Sequence, residues 1–229
     1  MKNPSRLSSE DRRRAIVDAV KGVFADKGFD GTTTRELANA AGVSEALLYK
    51  HFPSKESLYA AMLDDCAKGA AFAEYRRILA LEPSASTLVI MVHFVVARFV
   101  QGRRFGDIEK TILDRLAVRS LLEDAQFVRL AHKRFTGAWV AKFEESLKAA
   151  AKAGELQETS VRRDLRAWFV HHIAFALMIH LHPKVPAVDY KVSKDLLVEQ
   201  AVRFALHGAG LTEKTIDRYY NPKALSLLA

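Results

Sequence analysis

The sequence predicts an all-α protein. Three observations carry this. Nearly half of the 229 residues, 49%, are hydrophobic, enough for a packed core and too many for a disordered chain. Apolar residues recur at three- and four-residue spacing, the period of a helix face. Helix-capping residues stand before most apolar runs, whereas no alternating run bounded by a hairpin turn is evident.

The elements follow in order. Ser8, with Asp11 three residues on, opens a first helix over Ser9–Lys27, whose inward residues are Ile16, Val20, Val23 and Phe24; Gly28 sits where a C-cap belongs. Thr33 and Glu36 form a second capping box, so a second helix starts near Thr34 and ends at Gly42. Ser44 caps a third, short helix that stops at Pro53. Ser54 caps a fourth, with Leu58, Tyr59, Met62 and Leu63 in a stripe that runs on toward Phe72 and Ile78 and closes at Pro83. Ser84–Val100 is rich in β-branched residues, yet its length argues helix over strand. Helices are expected over Gly106–Arg119, over Glu123–Lys152 as one long amphipathic element, over Val161–His182, over Ser193–His207 and briefly over Thr212–Tyr219. That makes nine or ten helices. A domain boundary is expected inside the fourth helix, giving residues 1–60 and 61–229, with that helix as a rigid connector.

Composition narrows the function classes. The net charge is +8, but the excess is spread: residues 1–60 hold ten Lys/Arg against eight Asp/Glu, and the rest of the chain twenty-five against nineteen. This favours an anionic partner only mildly. Cys66, the only cysteine, permits no internal disulfide and reads as a small buried hydrophobe in a reducing compartment. The N-terminal stretch lacks the apolar core of a signal peptide. The apolar runs Thr87–Ala97 and Ala167–Leu181 fall short of the ~20 residues a membrane span needs, so the expectation is a cytoplasmic protein with no membrane partner.

The sharpest signal is Gly42–Phe52, GVSEALLYKHF. Gly42-Val43-Ser44 is the short glycine-containing turn of a helix-turn-helix. On a wheel the third helix splits: Glu45, Ala46, Tyr49 and Lys50 fall on one half, and Leu47, Leu48 and Phe52 on the other, with His51 among them. A helix this short does not stand alone in water, so its apolar half must dock on its neighbours. The outer half suits a DNA major groove. Ala46 permits close approach, Lys50 brings charge, and Glu45 can accept from a cytosine amino group.

On these residues, the stretch FADKGFDGTTTRELANAAGVSEALLYKHFPSKESLYAAML resembles the DNA-binding domain of the TetR family of transcriptional regulators. The resemblance implies a homodimer that binds a palindromic operator and responds to a small ligand, most often as a repressor. It also implies roles by position. Thr33 and Thr34 match phosphate contacts at a helix N-terminus, and Arg35 a residue that reaches base or backbone. Ser44, Glu45 and Ala46 match the residues that meet base edges. Tyr49 and His51 match the family's aromatic and histidine phosphate contacts, and Lys55 the lysine that holds phosphate at the start of the fourth helix. Lys50 occupies a variable position. His51 carries a tension, since the wheel also places it toward the core beside Leu47.

The remaining helices match no motif. The resemblance implies that they pair subunits and hold an apolar or acidic effector. The dimer candidates are the helices over 161–182 and 193–207; the first is apolar on most sides and so expected to be buried all round. Phe99, Phe135, Trp139 and Trp168 are candidate pocket aromatics, and His93, Arg98, Arg115 and His172 candidate polar contacts; each also suits an ordinary place in a core or an ion pair. His171, His172, His180 and His182 lack the i, i+4 spacing of a helical zinc site, so no metal is expected. No cofactor is expected either: phosphate-loop, zinc-protease and nucleophile-elbow patterns are absent from the sequence. That weighs against an enzyme built on the helical domain. A helical protein–protein adaptor with a purely structural helix-turn-helix is the other alternative, and salt-sensitive retention on specific DNA separates it from a regulator.

Overall fold

A computed structural model describes residues 8–66, 70–101, 107–123 and 125–225. The described residues form α-helices joined by short turns, with one isolated β-bridge between Leu156 and Leu211. The chain divides into two compact units. The first comprises Met1–Phe72 with Ile108–Lys133, and the second Ala73–Asp107 with Arg134–Ala229. The single cut at residue 60 drawn from the sequence therefore differs from the packing, which returns residues 108–133 to the first unit.

In the first unit, α1 (Ser9–Lys27), α2 (Thr34–Ala40), α3 (Glu45–His51) and α4 (Lys55–Cys66) follow the expected order. Their core is a run of aromatic rings. Tyr59 meets Phe24 edge-on at 4.8 Å and Phe29 at 5.1 Å, and on its other side Phe127 at 5.5 Å. The buried Lys21 reaches Asp18 and, on α4, Asp65 at 2.9 Å, so this buried cation is charge-paired. The segment expected as one long fourth helix is described as α4 and α5 (Ala70–Leu79), with residues 67–69 outside the described set.

The second unit is built around α6 (Ala85–Gln101), which settles the strand-or-helix question over Ser84–Val100 as helix. Leu88, Val89, Met91, Val92, Val96 and Val100 are each at most 2% exposed, so α6 is buried on nearly every side. An all-round apolar helix has nowhere to go but the centre of a bundle. Around it pack α9 (Gly137–Lys152), α10 (Arg163–Leu181), α11 (Lys194–Ala209), α12 (Glu213–Tyr219) and α13 (Pro222–Leu225).

The long helix expected over Glu123–Lys152 is corrected in two places. After α7 (Asp107–Leu122), Ala125 takes a left-handed conformation, and the Phe127 amide bonds the Ser120 hydroxyl at 3.0 Å, so the next helix, α8, spans Gln126–Ala131. A π-helical turn over His132–Thr136 then joins it to α9. The Tyr75 hydroxyl donates to the Phe135 carbonyl at 2.5 Å, and the Trp139 backbone also hydrogen-bonds that phenol. A side chain inserted between residues i and i+4 of a helix holds the local ladder open. Burial pushes the Tyr75 phenol up to about 12, so it remains a donor at any physiological pH. Within one chain the helix over 161–182 is buried on one side only, which leaves an apolar side for the expected subunit partner. α10 buries Ala167, Val170, Ala174 and Met178 but exposes Leu165, Phe169 and Ile179.

Candidate nucleic-acid interface

The site begins with the cap of α2. The Thr33 hydroxyl accepts from the Glu36 amide at 3.3 Å, and the Glu36 carboxylate accepts the Thr33 N–H at 2.9 Å. Lys27 also hydrogen-bonds Glu36. That bond first, and then those from Thr33, hold the Glu36 carboxyl down at about 2. The turn into α3 needs Gly42 in the left-handed region, at φ +63°, and Ser44 then caps α3 by accepting from the Leu47 amide at 3.2 Å.

Helix α3 divides as its wheel predicts. Leu48 is 3% and Phe52 1% exposed, while Ser44, Glu45, Ala46, Tyr49 and Lys50 are all exposed. Burying two such apolar side chains contributes roughly 1.5–3 kcal/mol each, which replaces the stability a seven-residue helix lacks. The Tyr49 and Thr34 hydroxyls lie 3.1 Å apart, bringing together residues from α3 and from the start of α2. Thr33 and Arg35 are exposed beside Thr34. Exposed hydroxyls, an aromatic and cations on one short helix pair are a polar surface suited to phosphate, and Glu45 and Ala46 stand on the first turn, suited to base edges.

Two expected contacts have further duties. Lys55 is half-buried; its ammonium donates to the Phe29 carbonyl at 2.6 Å and the Thr32 carbonyl at 3.1 Å, and sits 4.2 Å above the Phe29 ring. Of its three donors two are thus committed to the 29–32 loop. His51 is half-buried, and its backbone carbonyl accepts from the Arg13 guanidinium, which lies 4.1 Å over the Phe52 ring. Sequence reasoning missed Arg13, because its partner lies 38 residues away and no local pattern announces the pair.

The candidate effector residues fall in both units. Arg115 belongs to the first, paired with Asp26 at 2.7 Å. In the second, four of the eight gather around His171, which was absent from the candidates: Phe99 edge-on at 5.8 Å, Trp139 at 6.3 Å, and His172 at 5.8 Å with Trp168 beyond it at 6.1 Å. His93 lies elsewhere in that core, its Nδ1 3.5 Å from the Tyr220 hydroxyl, and burial holds it down at about 4. Arg98 is half-buried on α6, and Phe135 contributes its carbonyl to the π-turn. Among the described residues no group of three His, Cys, Asp or Glu is placed to hold a metal, and no helix is long and apolar enough to cross a membrane.

Residues 16–62 match the family model described as bacterial regulatory proteins, tetR family. The HTH-type transcriptional regulator RutR of Escherichia coli K12 is 34% identical over 127 residues, covering 47% of this chain and 59% of that protein. The chain thus spans somewhat more than half the length of these curated relatives. The HTH-type transcriptional repressor KstR2 of Mycolicibacterium smegmatis is 27% identical over 168 residues, 71% of this chain and 77% of its own. Among solved structures, a TetR-family regulator from a Rhodococcus species superposes with a TM-score of 0.60 at 24% identity, covering 86% of this chain and 96% of that one. AibR in complex with isovaleryl coenzyme A and operator DNA gives 0.59 at 17% identity, covering 84% and 97%. The two structural likenesses are of fold, and the family match lies in the helix-turn-helix: residues 16–62 are similar to the tetR family of bacterial regulatory proteins.

Proposed function

We propose that this chain is a cytoplasmic, ligand-responsive transcriptional repressor, not an enzyme, that binds a palindromic operator as a homodimer and leaves it when a small effector binds. The observation that carries the reading is the split of α3. Leu48 and Phe52 anchor the helix while Glu45, Ala46, Tyr49 and Lys50 remain at the surface, in line with Thr34. Thr33, Thr34, Arg35, Tyr49, Lys50, His51 and Lys55 serve the phosphate backbone, and Ser44, Glu45 and Ala46 the bases. Residues 1–60 hold the DNA function and residues 61–229 the effector and subunit functions.

Pairing is supported by the exposed apolar face of α10 and α11. It carries Leu165, Phe169 and Ile179 on one helix and Leu196 and Phe204 on the other, Phe204 at 68% exposure. Apolar side chains on this scale need a cover, and a second copy supplies a self-complementary one. For the effector, the aromatic group about His171 supports an apolar molecule. The complex of AibR with isovaleryl coenzyme A offers an acyl thioester as one class to try.

Selection of bound fragments from a random DNA pool tests the proposal. A palindrome in the selected set is expected; recovery of fragments with no shared motif would refute DNA recognition.

A further inference from the structure

We propose that Arg13 is a positioning residue for DNA recognition: it ties the C-terminal end of α3 to α1 and so sets the angle at which Glu45 and Ala46 meet base edges. The inference rests on the DNA-binding reading above.

The argument starts from the end of a seven-residue helix. Its last carbonyls have no helical donors ahead of them. Phe52 turns the chain into an extended conformation, and Pro53 has no N–H to offer. The one bond closing this end from within is the Phe52 amide to the Leu48 carbonyl, at 2.9 Å. Arg13 completes it from outside, donating to the His51 carbonyl while its plane covers the Phe52 ring at 4.1 Å. A cation at the negative end of a helix dipole, stacked on the residue that caps it, restrains that end both electrostatically and sterically. The other cations of α1 with assigned partners are used differently. Arg14 reaches Asp11, Lys21 reaches Asp18 and Asp65, and Lys27 reaches Glu36, all carboxylates.

The consequence for recognition is geometric. Phosphate contacts tolerate small changes of helix angle, whereas base-edge hydrogen bonds do not. Loosening the tether should therefore reduce discrimination more than general attraction to DNA.

The full chain and its Arg13→Ala, Arg13→Gln and Arg13→Lys variants are titrated, over a salt series, onto the selected operator and onto a scrambled duplex of equal length. Arg13→Ala should lose about tenfold in operator affinity, the worth of one base contact, with scrambled-duplex affinity and salt slope unchanged. Arg13→Lys, which keeps the cation over the ring and one donor, should recover part of the loss. A salt slope smaller by about one would instead make Arg13 a phosphate contact and overturn the proposal. So would equal losses on both duplexes, or none. Amide exchange at Phe52 without DNA should quicken about tenfold in Arg13→Ala, or in Arg13→Gln at a lower temperature should the alanine variant unfold. Unchanged exchange removes the tether whatever the DNA result. Failure of the unsubstituted chain to select any operator, with exchange at Phe52 still quickened, would break the DNA-binding reading and leave the tether standing.

Discussion

Gly28 has no freedom to be anything else. Its φ is +74°, and a Cβ there would lie 2.3 Å from a Glu123 carboxylate oxygen and 2.7 Å from Arg119 Nε. Arg119 in turn donates to the Asp26 carbonyl at 2.7 Å, beside the pair of Arg115 with Asp26. Gly28→Ala should destabilise the first unit by about 1–3 kcal/mol from its positive-φ, extended-ψ backbone alone, with further loss as Glu123 is displaced; a thermal midpoint equal to that of the unchanged protein would contradict this. Lys55 belongs to the same scale. Because its ammonium holds the Phe29 and Thr32 carbonyls, Lys55→Ala should lower both stability and affinity for all DNA, whereas Tyr49→Ala should lower affinity alone. Paired melting curves and DNA titrations distinguish the two. His93 sets a pH dependence. Burial lowers its folded pKa to about 4, below its ordinary value near 6.5, so the unfolded chain binds the proton more readily. Its neutral form supports the fold fully above about pH 6.5, and that support, on the order of 3 kcal/mol, fades as pH falls toward 4. Urea unfolding at pH 7 and pH 4.5 measures the step, which His93→Gln should flatten.

The starts of α1 to α3 were legible to the residue because they are written locally: Ser8, Thr33 and Ser44 each cap through their own side chains, three residues from the amide they bind; the ends of α2 and α3 fall at Ala40 and His51, two residues short of Gly42 and Pro53. The π-turn was not, because its cause is non-local: Tyr75 reaches Phe135 across 60 residues; nor was the break at Ala125, where an alanine with no turn signature takes the left-handed conformation. The recognition face was legible for the same local reason, since a seven-residue helix shows its two halves within two turns. The tether from Arg13 and the second duty of Lys55 required folded coordinates. The effector residues were legible as types but not as a group, for aromatic periodicity alone does not say which rings meet. At this scale the pairing face makes its prediction. Ala174 is fully buried within the second unit, so a charge there should unfold the chain. Phe204→Glu changes only the exposed face and should yield a folded monomer at micromolar concentration by sedimentation, where the unchanged protein is expected to sediment as a dimer.

For the whole molecule, the proposed function has effector and DNA acting in different parts of one chain, where a ligand would alter DNA affinity only by preferring one arrangement of the recognition helices to another. The chain passes between its two units at 72–73, 107–108 and 133–134, so the fourth helix is not the sole connection. The coupling must be reciprocal: operator should change effector affinity by the same factor, typically about 5–150-fold. Titrating acyl thioesters with and without operator measures this, and equal affinities in the two arms would leave two binding activities without a switch.

The exposed row of Leu196 and Phe204 also bears on dosage. Where a half-operator is held weakly by a single protein molecule and firmly by two, occupancy at scarce protein climbs as the square of expression level rather than in proportion to it. A twofold fall in synthesis would then cut operator occupancy about fourfold. A substitution such as Phe204→Glu, which lies outside the proposed DNA-contact residues, would move that threshold upward, and a promoter-reporter strain with graded expression would record it as a dose curve displaced to higher expression.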